Sequence, residues 1–431
     1  MIRINKDELM TSELLSNLIA RHKKEVASRL IQLDKAYKNQ YEIYDYAKKY
    51  DGKPDNRISV NFAKYIVDVM NGYFTGIPIQ TSSEDNKVQE TIDIINSYNK
   101  IDDHNSEISR LSSIFGVAYE MYYIDENSQI GIARISPLEC FMVYDDSILA
   151  KPLYFIRYYK DSRGVEVGSY SDRDIVRHFK KDGEYKFIDE GEAHYFGDVP
   201  ASELKENDDN IGIFESVLPI INAYNKAISQ KANDVDYFAD AYMKILGASL
   251  DDETIRNIRS NRIINFSGDP DVVPQVEFLQ KPNADTTQEN LIDRLERLIY
   301  QISMVSNISS EDFGNASGVS LKYKLQAMSS LAKTKERKFI ALLNNRYKVL
   351  FSNPLINLHN NEWAKIKYKF TQNIPANILE ESQIVGNLEG VISKETQLST
   401  LSIVDSPLNE LARINKEQEQ QLSTLGFTHH E

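Results

Sequence analysis

The residues of this chain that could do chemistry are few, and their spacing matches no catalytic motif. The seven histidines are scattered, and pairs of adjacent aspartates such as Asp102-Asp103, Asp145-Asp146 and Asp251-Asp252 lie in turn-like sequence. The chain has no phosphate-binding GxxxxGKS/T loop, no GxGxxG sequence after a strand and no HExxH sequence. We therefore interpret the aspartate pairs as solvated turns rather than metal ligands, and we predict no enzyme activity, no cofactor and no metal site.

Composition narrows the class of protein. The chain has 431 residues, of which 41% are hydrophobic and 26% charged, as in ordinary soluble globular proteins. Its net charge of -14 means that it cannot coat nucleic acid over its whole surface, because phosphates would be repelled. A single cysteine, Cys140, rules out an internal disulfide framework. No apolar run approaches the roughly 20 residues that span a bilayer, so we expect a soluble, intracellular protein without a membrane partner.

The elements that must position any functional residue change type along the chain. Apolar spacing predicts helix over residues 8–50 and again over residues 61–74, where Gly76 and Pro78 follow as stop signals. Between residues 115 and 196 the period becomes that of strands, and Lys181-Asp182-Gly183 is a hairpin signal. The sequence therefore predicts an α+β fold that contains an antiparallel meander.

The C-terminal half is helical around one polar loop. Helical stripes cover residues 217–246 and 286–305, the second at strict 4-3-4-3 spacing. Residues 306–320 are small and polar, and a helix without Pro or Gly follows from Leu321 to about Phe351. Because serine pairs can bend helices, we predict a kink at Ser329-Ser330. At 1.5 Å per residue the helix is about 45 Å long, which indicates that it serves an assembly as well as a core.

The loop and the helix after it each permit two interpretations. Residues 321–350 hold eight Lys or Arg against one Glu, and Lys322, Lys324, Lys333 and Lys335 could contact DNA phosphates. The same residues could instead form a solvated face or pair with a neighbouring subunit. The loop could be a mobile contact element or only a linker; its length between two strong helices is uncommon.

Four stretches resemble the portal proteins of tailed double-stranded DNA bacteriophages of the siphophage type. They run in that family's order and cover nearly the whole chain: NRISVNFAKYIVDVMNGYFTGIPI (56–79), FGVAYEMYYIDENSQIGIARISPLECFMVYDD (115–146), GIFESVLPIINAYNKAISQKANDVDYFADAYMKILG (212–247) and EGVISKETQLSTLSIVDSP (389–407). The resemblance implies a portal fold with a strand-rich wing, a two-helix stem, a small clip, a long kinked helix and a helical crown.

The family's parts map onto the segments described above. The resemblance assigns residues 1–52 to the helical part of the wing, 53–216 to the α+β wing, 217–246 and 286–305 to stem helices, and 247–285 to the clip. It assigns 306–320 to the tunnel loop, 321–352 to the long helix and 353–431 to a wing strand and the crown. Loop residues expected to face the DNA channel are Asn307, Ser309, Ser310, Asn315 and Ser317.

The implied function is a DNA channel. The resemblance implies a homo-oligomeric ring, usually of about twelve subunits, at one capsid vertex, with assembly in the host cytoplasm. Its partners would be double-stranded DNA, the terminase large subunit, head completion and connector proteins, and the major capsid and scaffold proteins. Two rival hypotheses are a helical scaffold or adaptor protein of the virion without a channel, and a DNA-processing enzyme with an unrecognised site.

Overall fold

The computed structural model describes residues 1–49, 54–239, 243–246, 275–278, 285–309, 318–359, 361–374, 378–401, 403–404 and 406–426. The chain forms two compact units. The first comprises residues 1–308 and 325–371, and the second comprises residues 309–324 and 372–431. Helices and sheets both contribute to the first unit, so the predicted α+β class is confirmed.

Helices and strands alternate irregularly along the first unit. Its helices are α1 (Ser12–His22), α2 (Ser28–Tyr37), α3 (Phe62–Thr75), α4 (Asn86–Tyr98), α5 (Ile101–Phe115), α6 (Leu218–Ala239), α7 (Asp285–Ser303) and α9 (Gln326–Phe351). Helix α8 (Gly318–Lys324) belongs to the second unit. A π-helical turn, Lys23–Ala27, joins α1 to α2. Short 3-10 helices cover Glu42–Tyr44, Glu215–Val217 and Glu362–Lys365.

The strands form two main sheets. They are β1 (Ile2–Ile4), β2 (Gln80–Ser82), β3 (Val117–Ile124), β4 (Ile130–Ile135), β5 (Cys140–Asp145), β6 (Pro152–Lys160), β7 (Glu166–Ser171), β8 (Ile175–Asp182), β9 (Glu184–Phe187), β10 (Glu192–Ala193), β11 (Ala201–Lys205), β12 (Met243–Leu246), β13 (Gln275–Phe278) and β14 (Lys367–Lys369). One sheet has the order β1-β5-β6-β7-β8-β10, with β9 also paired to β8, and the other has the order β11-β3-β4. The predicted meander is therefore split between two sheets.

Local chemistry explains where these elements turn. Gly183 joins β8 to β9 with φ 72°, a left-handed conformation that glycine adopts without strain. The register Asp182↔Glu184 confirms the hairpin that the Asp-Gly sequence predicts. The helix predicted over residues 8–50 ends earlier, at Tyr37, because Asn39 is left-handed (φ 62°) and the Gln40 amide bonds back to the Lys35 carbonyl at 2.7 Å.

Helix α3 is amphipathic and buries one of its faces. Its sequence FAKYIVDVMNGYFT places apolar residues at positions that recur every three or four residues, and seven of its residues are buried. Asn61 caps its start by accepting a bond from the Lys64 amide at 3.2 Å. The buried face packs against α5 and α9, and the opposite face, with the Lys64–Asp68 ion pair, is exposed.

Helices α6 and α7 pack against each other as a hairpin. The apolar stripe predicts helix as far as Leu246, but α6 ends at Ala239, and Met243–Leu246 form strand β12, which pairs antiparallel with β13. The pairing Met243↔Phe278 to Leu246↔Gln275 closes a two-stranded ribbon between the helices in the chain order. The backbone N–H and C=O groups of a strand point sideways and need partners on another strand. After α6 ends, the pairing of β12 with β13 supplies these partners.

The long helix is interrupted at one residue. Its first part, α8 (Gly318–Lys324), belongs to the second unit, and α9 starts after Leu325. Ser329 and Ser330 lie within uninterrupted helix, where the Ser330 hydroxyl donates to the Gln326 carbonyl at 3.0 Å. Bonds of this kind bend helices slightly. The interruption is thus at Leu325, and a kink at the serine pair stays a prediction.

The second unit is helical in its described part. Besides α8 it contains α10 (Ile378–Asn387), α11 (Lys394–Ser399) and α12 (Pro407–Gly426). Ser393 caps α11 by accepting from the Thr396 amide at 3.2 Å, and the Gln397 side chain donates to the Leu388 carbonyl at 3.0 Å. The first bond caps α11, and the second links α11 to the residue that follows α10.

Candidate functional site, the seat of the long helix and the root of the loop

A fully buried arginine on α9 is neutralised by a fully buried glutamate on β3. Arg346 and Glu120 both have 0% exposed side chains, and their two bonds are 2.8 and 2.7 Å long. Glu120 also contacts His104 Nε2 at 2.9 Å and accepts from the Tyr122 hydroxyl at 2.7 Å, and Arg346 donates to Asn105 at 2.9 Å. The guanidinium fork and the carboxylate are thereby paired with excellent geometry, which a buried charge requires.

The interaction between Arg346 and Glu120 shifts the pKa values of both side chains. Burial by itself would raise the pKa of Glu120, but the charge of Arg346 and the bonds from Arg346 and His104 outweigh it and lower the pKa to about 2. The pKa of Arg346 is raised above its ordinary value because the attraction of Glu120 outweighs burial. Both groups are therefore charged at neutral pH.

A second buried ion pair lies on the same helix, nearer to its N-terminus. Lys335 is 1% exposed, and its ammonium donates to Glu206 at 2.5 Å, to the Ser113 and Ser112 hydroxyls at 2.6 and 3.1 Å, and to the Ser109 carbonyl at 3.0 Å. Burial lowers the pKa of Lys335, and Glu206 opposes that shift. Three of the four acceptors belong to α5, so α5 and α9 are joined through this lysine.

The spacing of the two pairs gives them a joint role. Lys335 and Arg346 are eleven residues apart, which is close to three helical turns, so both project from one face of α9. Their partners lie on α5, on β3 and just after β11. A rotation of α9, or a slide by one residue, would separate both charge pairs at once. The pairs therefore specify the register of the long helix, a role that buried polar groups have in other helical proteins.

Within the first unit, a ladder of polar side chains attaches helix α6 to the segment that precedes α3. Asn225, Ser229 and Asn233 recur every four residues, are buried, and accept the N–H groups of every second residue in the extended segment 56–60. The distances are 2.8 Å at Asn225, 2.9 Å at Ser229 and 2.6 Å at Asn233. Segment 56–60 thus finds on a helix the acceptors that it would otherwise find on a neighbouring strand.

This ladder works because two periods coincide. Four residues of α-helix rise about 6.0 Å, and two residues of extended chain rise roughly 6.6 to 6.8 Å. Each successive pair of partners is therefore in reach without distortion of either segment. The ladder therefore holds the middle of α6 against segment 56–60.

The first residues of the loop 306–320 are held by hydrogen bonds to helix α3. The Tyr65 hydroxyl on α3 accepts the Ile308 amide at 2.9 Å and donates to the Ser306 carbonyl at 3.4 Å. The Tyr65 ring meets Tyr300 of α7 at 5.7 Å between centroids and 79° between planes, and Phe62 meets Tyr300 at 5.8 Å. An aromatic cluster therefore surrounds the point where the chain leaves α7.

The family follows from comparison of the whole chain. Residues 16–424 match the family model described as "Phage portal protein, SPP1 Gp6-like". The chain belongs to this phage portal protein family. The portal protein of Bacillus phage SPP1 is 24% identical over 402 residues, which cover 87% of this chain and 79% of that protein. The portal protein of Clostridium phage phiCD119 is 23% identical over 367 residues, which cover 78% and 79% of the two chains.

One solved structure resembles this portal chain at lower similarity. It is described as "Neck of empty GTA particle computed with C6 symmetry" and has a TM-score of 0.47 and 11% sequence identity. The match covers 78% of this chain and 89% of that chain.

Family membership decides the broad class of the protein. Portal proteins are structural and are not enzymes, as expected from the missing catalytic motifs. In the part of the chain that the structure describes, no helix is long and apolar enough to cross a membrane. Over the same residues there is no group of three or more His, Cys, Asp or Glu side chains that could hold a metal ion.

The structure corrects one of the four predicted basic contacts. Lys335 is not available to DNA or to a neighbouring subunit, because its ammonium is buried and bonded within its own chain. Lys333 is exposed and pairs with Glu336 at 3.1 Å. Lys322 and Lys324 lie on α8. DNA contact by Lys322, Lys324 or Lys333 stays a prediction.

The described residues include only the two ends of the predicted tunnel loop, 306–309 and 318–320, and the second end already belongs to helix α8. Asn307 and Ser309 belong to the first end, and Asn307 lies between the two residues that Tyr65 holds. Ser310, Asn315 and Ser317 lie outside the described residues. Their role in the channel remains a prediction.

The sequence analysis did not identify Glu120 and Glu206, the acidic residues that pair with the buried cations of the long helix. Glu120 stands in the strand sequence VAYEMYYI at a position where alternation leaves its facing ambiguous, and Glu206 stands in an acidic connector. A signal for the α6 ladder did exist: Asn225, Ser229 and Asn233 recur every four residues, which places them on one face of a helix. Three small polar residues in such a stripe indicate a face that binds backbone rather than apolar core.

Proposed function

We propose that this portal protein forms a closed ring at one vertex of the capsid, through which double-stranded DNA is packaged and later ejected. The family match over residues 16–424 carries the proposal. The terminase large subunit would dock on the ring during packaging, and head completion and connector proteins would replace it. Major capsid and scaffold proteins would contact the ring during assembly in the host cytoplasm. The ring, as a virion component, would contain about twelve subunits.

The charge arrangement of the long helix supports a conduit rather than a DNA-gripping surface. Five of its cations are paired inside the chain: Lys333 with Glu336, Lys335 with Glu206, Lys338 with Asp208, Arg346 with Glu120 and Lys348 with Asp198. Each free cation that neutralised a phosphate would add salt-dependent affinity and hence drag on moving DNA. An acidic chain in which five of the eight cations of residues 321–350 are paired internally reduces that drag.

The segments of the chain receive roles in this proposal. Residues 1–52 and 53–216 would form the wing, helices α6 and α7 the stem, and residues 247–285 the clip at which terminase docks. The loop 306–320 would face the channel through Asn307, Ser309, Ser310, Asn315 and Ser317. Residues 353–431 would supply a wing strand and the helices of the crown.

Ring formation tests the proposal directly. Native mass spectrometry and electron microscopy of the purified protein should show a closed ring of about twelve or thirteen subunits. A protein that stays monomeric at micromolar concentration in both low and high salt would contradict the channel and would favour the adaptor hypothesis.

The loop provides a second, more specific test. Deleting residues 310–317 removes polar loop residues but leaves α7 and α9 intact, so rings should still assemble. Phage particles built with these rings should contain less DNA, because the contact element would be missing from the channel. A substitution of the same segment by a Gly/Ser sequence of equal length is the matched control for loop length. Deletion particles with wild-type DNA content would show that the loop is only a linker.

A further inference from the structure

Helix α3 contacts the chain on both sides of the loop. Near its start, the Tyr65 hydroxyl holds Ser306 and Ile308, which precede the loop. Near its end, the Tyr73 hydroxyl bonds to Ser329 on α9, which follows the loop. The Phe74 ring meets Phe339 of α9 at 5.9 Å between centroids. One helix therefore carries the contacts of both flanks.

The spacing of these contacts is set by the geometry of a single helix. Tyr65 and Tyr73 are eight residues apart, which corresponds to about 12 Å along the α3 axis. Tyr73 is 5% exposed and Phe74 is 3% exposed, so the second contact lies in the core and cannot move without repacking it. The two flanks are held at a constant separation by a rigid element.

The chain leaves α7 through a turn that needs an external partner. Met304 ends the helix with φ 60°, an uncommon conformation for a residue other than glycine, and Val305 is buried at 1% exposed. The Ser306 carbonyl and the Ile308 amide then point to one phenolic oxygen, which donates to the first and accepts from the second. A tyrosine hydroxyl is suited to this role because it can do both.

We infer that α3 is the common anchor of both flanks of the loop, and that Tyr65 is a positioning residue that sets the direction in which the chain departs towards it. The consequence for DNA rests on the proposed function of the loop as a channel element. The anchoring itself does not depend on that proposal, since it is defined by contacts within the first unit.

Hydrogen exchange on the assembled protein tests the anchor. The variant Y65F removes only the hydroxyl and keeps the ring against Tyr300. We expect the Ile308 amide to exchange about tenfold faster in Y65F, while the melting temperature stays within about 2 °C of the wild type. The matched control is Y300F, because Tyr300 contacts Tyr65 through its ring; its Ile308 amide should exchange at the wild-type rate.

A packaging assay separates the two levels of the proposal. Particles assembled with Y65F should show at least a threefold lower fraction of DNA-filled heads, whereas Y300F particles should match the wild type. Unchanged exchange at Ile308 in Y65F would overturn the anchor. Faster exchange with normal packaging would confirm the anchor and contradict the role of the loop in holding DNA.

Discussion

The substitution Lys335→Met tests whether the buried ion pair seats the long helix. Methionine has nearly the volume of lysine and can fill the same space between α5 and α9, so the core should not collapse. What disappears is the ammonium that neutralises Glu206, a carboxylate that is 3% exposed. Glu206 then keeps one bond, from the Ser112 hydroxyl at 2.8 Å.

The expected loss follows from leaving one buried charge without its partner. Removing one member of a buried pair costs about 3 to 5 kcal/mol. For a folded unit of roughly 350 residues the unfolding entropy is about 0.7 kcal/mol per kelvin, so the melting temperature should fall by roughly 4 to 7 °C. The double variant K335M/E206Q should recover part of this loss, since a neutral amide is far cheaper to bury than an isolated carboxylate.

Calorimetric or fluorescence melting of the purified proteins measures the effect. The matched control is Lys333→Met, two residues away on the same helix, where the lysine is 60% exposed and pairs with Glu336. Exposed pairs contribute little, so this variant should melt within about 1 °C of the wild type. Equal melting temperatures for K335M, K333M and the wild type would refute the structural role of the Lys335–Glu206 pair.

Three further predictions concern other buried polar groups. Ser229→Ala removes the acceptor of the Ile58 amide and should lower stability by about 1 to 3 kcal/mol, measured by chemical denaturation. The pKa of Glu120 is lowered to about 2, so the contribution of this carboxylate to stability is present above pH 4.5 and is lost as the pH falls towards 2. The variant E120Q should remove that part of the acid sensitivity, measured as melting temperature against pH. Burial, aided by the charge of Lys23, lowers the pKa of His22 from 6.5 to about 4. Between these two pH values the unfolded chain binds a proton that the folded chain does not, so stability should fall as the pH decreases from 6.5 to 4. The variant His22→Asn should reduce this dependence of stability on pH.

Each of these predictions has an exposed counterpart as its control. Gln230→Ala alters the residue next to Ser229 on the solvent side of α6, and it should leave the free energy of unfolding unchanged. Glu90→Gln and His359→Asn change exposed residues of the same types and should leave the pH profiles unchanged. Contrary results would be a wild-type free energy of unfolding for S229A, or a wild-type pH profile for E120Q or H22N.

Much of the local structure was determined by the sequence itself. Helix α3 forms where its apolar spacing predicts it, with Asn61 as the cap and Gly76 as the end. The Asp-Gly turn sets the β8–β9 hairpin. These signals are local: a cap, a turn or a stripe of side chains acts within a few residues of its own position. The portal family was also recognisable from ordered stretches along the chain, and the family match confirms it.

The error at the end of α6 has a non-local cause, which local periodicity does not reveal. The stripe from Ile221 to Leu246 is compatible with helix throughout, yet Met243–Leu246 pair with Gln275–Phe278 some thirty residues further on. The backbone groups of a β-strand need hydrogen-bond partners on another strand, and the spacing of apolar residues does not predict which strand that is.

Tertiary structure alone decided which charges are available to other molecules. Lys333 and Lys335 look alike in the sequence, but one faces solvent and the other is enclosed with Glu206, which is 129 residues away in the chain. Arg346 and Glu120 are separated by 226 residues. A buried charge is tolerated only beside its partner, and packing of distant segments determines where that partner lies. The sequence by itself therefore determined a basic helix within an acidic chain, and only the fold decided which of its cations are already neutralised.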